Sequence, residues 1–470
     1  MKTSSFVKIL MLALAALVAC QAGFAQVSSH AVVPAAAPGH FRPYVWIGGA
    51  LASSTAPNNL PGFCNTAHYG PGSFLFCPNG LQSVYGANSI PSGAGGKGKT
   101  IAITDAYYYA NAASDLAQFS TDMGLPQLDG IGGDPTLTFG GCTSATTSNP
   151  PSYGSVCSST RPTAGAPAHD WEVEEMLDLE WAHAMAPYAN ILMVEAADNG
   201  YALYAAVNYA AGLADIVSDS WGGPEYDGQT TDDATFATGK PILFSSGDHG
   251  AYVGSTVTPQ YPCSSPFVTC VGGTTLLPTG SPLHRSTETG WTCSGTNCSG
   301  GGSGGGCSAY EALPSYQNTG AIGGGGAPNT ICGGGGTFLP AVGLHRPVPD
   351  IAAVADPNTG VAIYINEPGY YGGYYGVGGT SLACPVTAGL FAQIIAARAT
   401  FGQTTLHYFN PELYPAAVRS YAFFFFDVTS GNNLYPAGTG YDLVTGLGVS
   451  NAADLANRFF GLIYVVWPLG

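Results

Sequence analysis

Charge is what this sequence has least of. Charged residues are 9% of its 470 positions, against roughly a quarter in ordinary soluble proteins. Only 12 are Lys or Arg against 29 Asp or Glu, a formal net charge of −17. A general nucleic-acid binder needs basic patches to neutralise phosphates, so that class is excluded. So few bases also limit positive self-repulsion once carboxylates protonate, which suits acidic surroundings. No Cys-x-x-Cys pair with matching His is present, which excludes the common zinc sites. Long apolar runs are missing too. Ile9 to Ala19 and Phe459 to Gly470 are both too short to span a bilayer, and the second reads as a packed strand.

Hydrophobic residues are 46% of the chain alongside 67 Gly and 34 Pro. A sizeable core is therefore possible and wholesale disorder is not expected. Lys2 and Lys8 precede the first apolar run and small residues follow it, the pattern of a secretory signal over 1–26. Gly23-Phe24-Ala25 suits ordinary cleavage before Gln26, which would give a secreted protein. Leu17-Val18-Ala19-Cys20 also matches a lipid-attachment motif, which would leave an envelope anchor on Cys20, and both remain open. Export makes disulfides plausible. Ten cysteines fall into close sequential pairs, 64–77, 142–157, 263–270, 293–298 and 307–332, though spacing does not fix connectivity. Cys384 is expected to be a buried thiol.

Residues 27–61 are Ala/Pro/Gly/Ser-rich with little period and read as an extended arm or linker before a globular domain over 62–470. Within it, apolar runs at Lys99–Thr104, Ile191–Glu195, Ile216–Ser220 and Pro241–Ser246 read as buried parallel strands. Helical patterns begin at Ala113 and span Trp171 to Ala186 and Tyr201 to Leu213. The alternation predicts an α/β fold, a doubly wound, mainly parallel sheet flanked by helices. Residues 293–336 are Gly-rich and disulfide-prone, expected to be a flexible insert.

Three stretches carry chemistry. Gly378-Gly379-Thr380-Ser381 opens an apolar helical run with Pro385 near its start, which sets a hydroxyl at a positive helix end. Glu174 and Asp178 are i and i+4 on the Trp171 helix, so both project from one face. In a cleft, such a pair shares a proton. Alone, with Glu172, Glu175 and Glu180 nearby, the helix reads as a solvated acidic face. Asp248, in Ser246-Gly247-Asp248-His249-Gly250, sits on a turn at a strand's carboxyl end, where open α/β sheets place ligands.

Taken in order, Glu174 to Asp178 with Glu180 to Ala189, Ser218-Asp219-Ser220-Trp221-Gly222, Ser-Gly-Asp248 and Gly-Gly-Thr-Ser381 resemble the sedolisins over about 62–455. These are serine-carboxyl peptidases of subtilisin-like fold. The resemblance implies an acid-acting serine-type endopeptidase: Ser381 as nucleophile, Glu174 as base, Asp178 orienting Glu174, and protonated Asp248 donating to the oxyanion. Ser220, Trp221 and Gly222 would line the substrate backbone, with Asp105 behind the triad. It also implies one structural Ca²⁺ in segment 427–448. Its ligands would be the Asp427 and Asp442 carboxylates and the Val428, Gly438 and Gly440 carbonyls, the hard oxygen donors calcium takes. An Asp-His-Ser triad would need an Asp-x-Gly strand end followed by His-Gly-x-His, which the chain lacks; His183 and His249 read as structural. Sedolisins usually carry a large prodomain, whereas about forty residues separate the signal from this domain. That leaves unaided folding, a helper in trans, or an unconventional zymogen open. The expected partners are protein or peptide substrates, with the chain a monomer. A non-catalytic secreted or surface protein retaining the fold is the alternative reading.

Overall fold

The computed structural model describes residues 41–459 except 52–59, 69–71, 91, 93, 144–155, 168, 334–343 and 404–405. The signal and most of the strand expected over 459–470 lie outside the described residues.

Ile101 and Ile103 of the strand Thr100–Ala106 enter one apolar cluster, while Ala102 and Ala106 enter another. A strand presents alternate residues to opposite faces, so two clusters mean a sheet covered on both sides. That strand is central in an 11-stranded sheet. Asn190–Ala196 and then Leu137–Cys142 lie parallel to it on one side. On the other side come Ile216–Asp219, Ile242–Ser245, Thr269–Thr279 and Ile351–Val354, also parallel. Antiparallel pairs are confined to the margins, Cys157–Ser158 at one end and Phe425–Phe426 at the other, with His284–Gly290 branching from Thr269–Thr279. Helices Trp171–Met185 and Thr380–Thr400 pack together on one face, and Tyr201–Leu213 covers the other. The expected doubly wound α/β architecture is present. Thr380–Thr400 is long and apolar enough to cross a membrane, yet it is buried within the fold.

The ten cysteines pair as expected, and Cys384 is the free thiol among the described residues, buried.

Four expectations need correction. The Trp171–Met185 helix has no solvated acidic face, because every residue in it is buried. The sheet, the Thr380–Thr400 helix and the strand Val361–Ile365 enclose it, and Glu180 accepts the Tyr364 N–H while Trp181 Nε1 donates to the Ala362 carbonyl. The apolar run Phe423–Phe426, which by itself reads as a buried strand, is not one. The helix Asn410–Phe424 runs through its first half, only Phe425–Phe426 is extended, and Phe426 is exposed. Residues 301–307 of the Gly-rich insert are core, not loop. Gly302 N–H donates to the Asp248 carbonyl and Gly304 N–H to the Gly247 carbonyl, so the run clasps the Asp248 turn. A Cβ at Gly304 would lie 1.9 Å from the Ser246 carbonyl oxygen. Gly304→Ala is expected to cost about 3 kcal/mol or more by overpacking, read as a lower denaturation midpoint; unchanged stability would contradict this close approach. Lastly, the arm is described from 41 to 51, where it is docked rather than free. Arg42–Pro43 pairs antiparallel with Trp221–Pro224, and Trp46–Leu51 with Gly373–Gly378.

Candidate active site

Three carboxyl ends and one helix start meet at one place. Ser381 is the second residue of the Thr380–Thr400 helix, after Gly379 at φ 113°, a backbone angle L side chains rarely adopt. A Cβ there would lie 2.1 Å from the Tyr44 carbonyl oxygen and 2.7 Å from Asp248 Oδ2. Those two oxygens therefore share the space against the bare Gly379 backbone. Pro385 lies further into the helix than its unpartnered first turn, and its ring removes the rung to the Ser381 carbonyl. Ser220 Oγ donates to that carbonyl at 3.3 Å instead.

The sheet supplies the second wall. Ser220 follows the strand Ile216–Asp219, and its carbonyl accepts from Ser381 Oγ at 3.2 Å. Its single hydroxyl proton is shared between the Ser381 carbonyl and Asp178 Oδ1, 2.8 Å away. Asp248 lies on the turn after the strand Ile242–Ser245, and its Oδ1 accepts both the Thr380 N–H at 2.7 Å and the Thr380 hydroxyl at 2.8 Å. Thr380 Oγ1 in turn accepts the Gly247 N–H at 3.0 Å, which fixes the turn to the helix start.

The acidic helix supplies the rest. Glu174 and Asp178, one turn apart, are fully buried with Asp105 and Asp219. Burial pushes Glu174 well above the usual carboxylate range and the neighbouring Asp178 adds to the rise; neither Glu174 oxygen has a hydrogen-bond partner among the described residues, and the Ser381 hydroxyl donates instead to the Ser220 carbonyl. Asp178 is also driven up by burial and by Asp219, against the Ser220 hydroxyl, and Asp105 is driven up by burial and then by Asp178, Glu174, Glu175 and Asp219. Asp248 is pushed up to about 7 by burial, against hydrogen bonds from Thr380 and the Trp46 side chain. The site thus holds carboxyls that keep protons at pH values where free acids have lost them.

Of the predicted residues, Ser381, Glu174, Asp178, Asp248 and Ser220 converge here, and Asp105 lies behind them. Trp221 is buried with its Nε1 on the Thr104 carbonyl, and the Trp221 and Gly222 backbone carries the Arg42–Pro43 pairing. His183 is buried and His249 half-buried, with ring nitrogens on the Pro126 and Cys298 carbonyls. Tyr44, Thr380 and Gln260 were not foreseen. Thr380 stood inside the quoted motif; nothing local marks Tyr44 or Gln260.

In the segment 427–448, the Gly440 N–H donates to both Asp427 oxygens and the Gly438 N–H to Asp442 Oδ2. The Tyr421 hydroxyl donates to Asp427 Oδ1, and both carboxylates raise its pKa after burial. Asp442 is pushed up to about 6 by burial, opposed by four hydrogen bonds. Two carboxylates around a turn rich in backbone carbonyls fit a hard divalent cation.

These shifts set a sign for stability. A carboxyl whose folded pKa is raised contributes stability fully present below its unfolded value, near 4, and lost as pH rises through the folded value. For Asp248, from 3.8 to about 7, the loss is on the order of 4 kcal/mol. His183, pushed down to about 4 by burial, acts oppositely, but it is one group against several carboxyls. Ser381→Ala protein, which cannot digest itself, is expected to unfold at higher temperature at pH 4.5 than at pH 7.5. A higher melting temperature at pH 7.5 would contradict the buried-acid assignment.

The subtilase family model matches residues 163–410, a little over half of the chain. Kumamolisin from Bacillus sp. (strain MN-32) is 32% identical over 386 residues, covering 77% of this chain. Sedolisin from Pseudomonas sp. (strain 101) is 29% identical over 407 residues, covering 81%. The chain spans 60% of the length of each of these curated relatives. Among solved structures, Pseudomonas sedolisin, a serine-carboxyl proteinase complexed with two molecules of pseudo-iodotyrostatin, superposes with a TM-score of 0.64 at 27% identity. That match covers 82% of this chain and 98% of the other.

Proposed function

Since the chain belongs to the subtilase family, in its sedolisin branch, we propose that it is a secreted, acid-acting serine-carboxyl endopeptidase. The observation that carries this reading is that Ser381 Oγ sits on the Ser220 carbonyl, the hydroxyl of the same Ser220 reaches Asp178, and Asp248 holds the Thr380 N–H next to Ser381. Ser381 Oγ attacks the substrate carbonyl carbon and Glu174 takes its proton. Asp178, held by Ser220 Oγ, shares one proton with Glu174, so that one member of the pair is ionised and able to accept. The carbonyl oxygen gains charge between the Ser381 N–H and Asp248 Oδ2, and Asp248 donates only while it keeps its proton. Glu174 then returns the proton to the leaving amine, and water releases the acyl group from Ser381.

The acid preference follows from the residue types. An imidazole base is protonated and inert in acid, whereas a coupled carboxyl pair is still partly ionised there. Secretion is supported by the signal pattern and five disulfides. Trp221 and Gly222 offer backbone for an extended substrate strand. The test is release of peptides from a denatured protein in acid, with Ser381→Ala as the inactive control.

One Ca²⁺ belongs to the same proposal, held by the Asp427 and Asp442 carboxylates and the Val428, Gly438 and Gly440 carbonyls. Its role is structural, tying the strand end Phe425–Phe426 to the turn before Val449–Ser450. Calcium at a hundredfold its Kd should stabilise the fold by about 2.7 kcal/mol. A calcium-dependent rise in melting temperature that chelator reverses, and that Asp427→Asn with Asp442→Asn abolishes, is the expected result; no response in the wild type would contradict it.

A further inference from the structure

A second cluster of side chains, unused by the catalytic scheme, brings together one imidazole and two carboxylates. His169 stands just before the helix Trp171–Met185 and Glu172 lies in its first turn. Glu367 follows the strand Val361–Ile365, 198 residues beyond His169. One donor atom from each lies within 4.8 Å of the other two. His169 Nδ1 is 2.6 Å from Glu367 Oε1 and 3.7 Å from Glu172 Oε1.

The carboxylates lack the partners that burial demands. The Glu172 side chain is 4% exposed, and neither it nor Glu367 has a Lys or Arg partner among the described residues. Glu172 Oε2 and Glu367 Oε2 are both buried with no hydrogen-bond partner there. Two carboxylates buried together are costly without a positive charge between them, and a divalent cation supplies one. The remaining contacts orient the donors. Glu172 Oε1 accepts the Ala166 N–H at 3.1 Å, and the imidazole stacks on Tyr370 with ring centroids 3.6 Å apart. A ring nitrogen with two carboxylate oxygens is a donor set for zinc and similar transition metals, whereas calcium takes oxygen. Zinc bonds near 2.1 Å set tetrahedral donors about 3.4 Å apart. The Glu172 spacing is already close to that, and the shorter Glu367 hydrogen bond would open to admit the ion.

We propose that His169, Glu172 and Glu367 bind one divalent transition-metal ion of the zinc class, at a site separate from the calcium above. Three protein ligands leave a fourth position for water, and the half-buried imidazole keeps one side of the cluster open to it. The ion's role is structural. Val361–Ile365 pairs antiparallel with Gly373–Gly378, and that second strand runs straight into Gly379 and Ser381. The helix at the other side of the cluster carries Glu174 and Asp178. The ion therefore ties the bend of the hairpin leading to the serine to the start of the helix bearing the carboxyl pair. Binding of the ion stands whether or not the protein is a peptidase.

The experiment uses the full chain as Ser381→Ala, which cannot digest itself, stripped with chelator and titrated with zinc near neutral pH in excess calcium. Bound zinc is counted by elemental analysis, and the melting temperature is followed alongside. This parent is expected to hold one zinc more per chain than the same protein with His169→Ala or Glu367→Gln, and to melt higher with zinc than without. Loss of an outer partner of a ligand weakens metal binding about ten- to hundredfold, so loss of a ligand itself should cost roughly a hundredfold or more. Glu367→Gln keeps the side chain's shape and carries the test if His169→Ala fails to fold. Equal zinc binding by the parent and Glu367→Gln overturns the proposal, and so does zinc that excess calcium displaces. A parent that takes up no zinc, beside variants that merely melt lower, means an imidazole–carboxylate ion pair and overturns it as well.

Discussion

Ser381→Ala is expected to lower kcat on a denatured protein substrate by a factor on the order of 10⁵ while leaving the fold intact. Removing the nucleophile abolishes the covalent path, and what remains is only binding and oxyanion stabilisation. The substitution deletes one oxygen, whose hydrogen bond is to the Ser220 carbonyl. The helix start is held elsewhere, by Thr380 on Asp248 and by the Gly379 N–H on the Ala355 carbonyl. An alanine variant with near wild-type activity and an unchanged melting temperature would remove Ser381 from the chemistry.

The second large effect is at Asp248, where two substitutions separate charge from donation. Asp248→Ala removes the oxyanion donor and should cost about 10²–10³ in kcat. Asp248→Asn keeps the Oδ1 acceptor for both Thr380 donors and replaces a titrating O–H with a permanent N–H. With Asp248 pushed up to about 7, wild-type kcat/KM should fall as pH rises through that value, because the ionised carboxylate repels the oxyanion. The Asn variant should lose less than the Ala variant and should not show that fall. If wild type and Asp248→Asn share the same upper limb, another group sets it, and Asp248 does not act as the proton-bearing donor.

The residues of the candidate site were legible because each sits in a short local motif. Glu174 with Asp178 is a one-turn spacing, Asp248 a strand-end turn, and Ser381 a helix start, each complete within a few residues. Four of the sheet's strands were legible for the same reason, as continuous apolar runs, whereas Leu137–Cys142 and Thr269–Thr279 are broken by Gly and Thr and were not. What could not be read depends on distant parts of the chain. The acidic helix looks amphipathic by itself, and only Val361–Ile365 and the Thr380–Thr400 helix remove its outer face from water. The Gly-rich run has a loop's composition. It is core because Gly304 comes too close to Ser246 for any side chain, a contact across nearly sixty residues. Arg42 and Gly222 are farther apart still, and nothing local in a Pro-containing arm announces which strand it will join.

The central claim is that a serine works with carboxyls rather than with an imidazole. Its most direct test is the rate at which calcium-loaded wild-type protein hydrolyses a denatured protein from pH 2 to 8. The account predicts an acidic optimum with activity falling away through about pH 7, where Asp248 gives up its proton. A neutral or alkaline optimum would contradict the roles given to Glu174 and Asp248, and a well-folded protein inactive at every pH would contradict the peptidase itself.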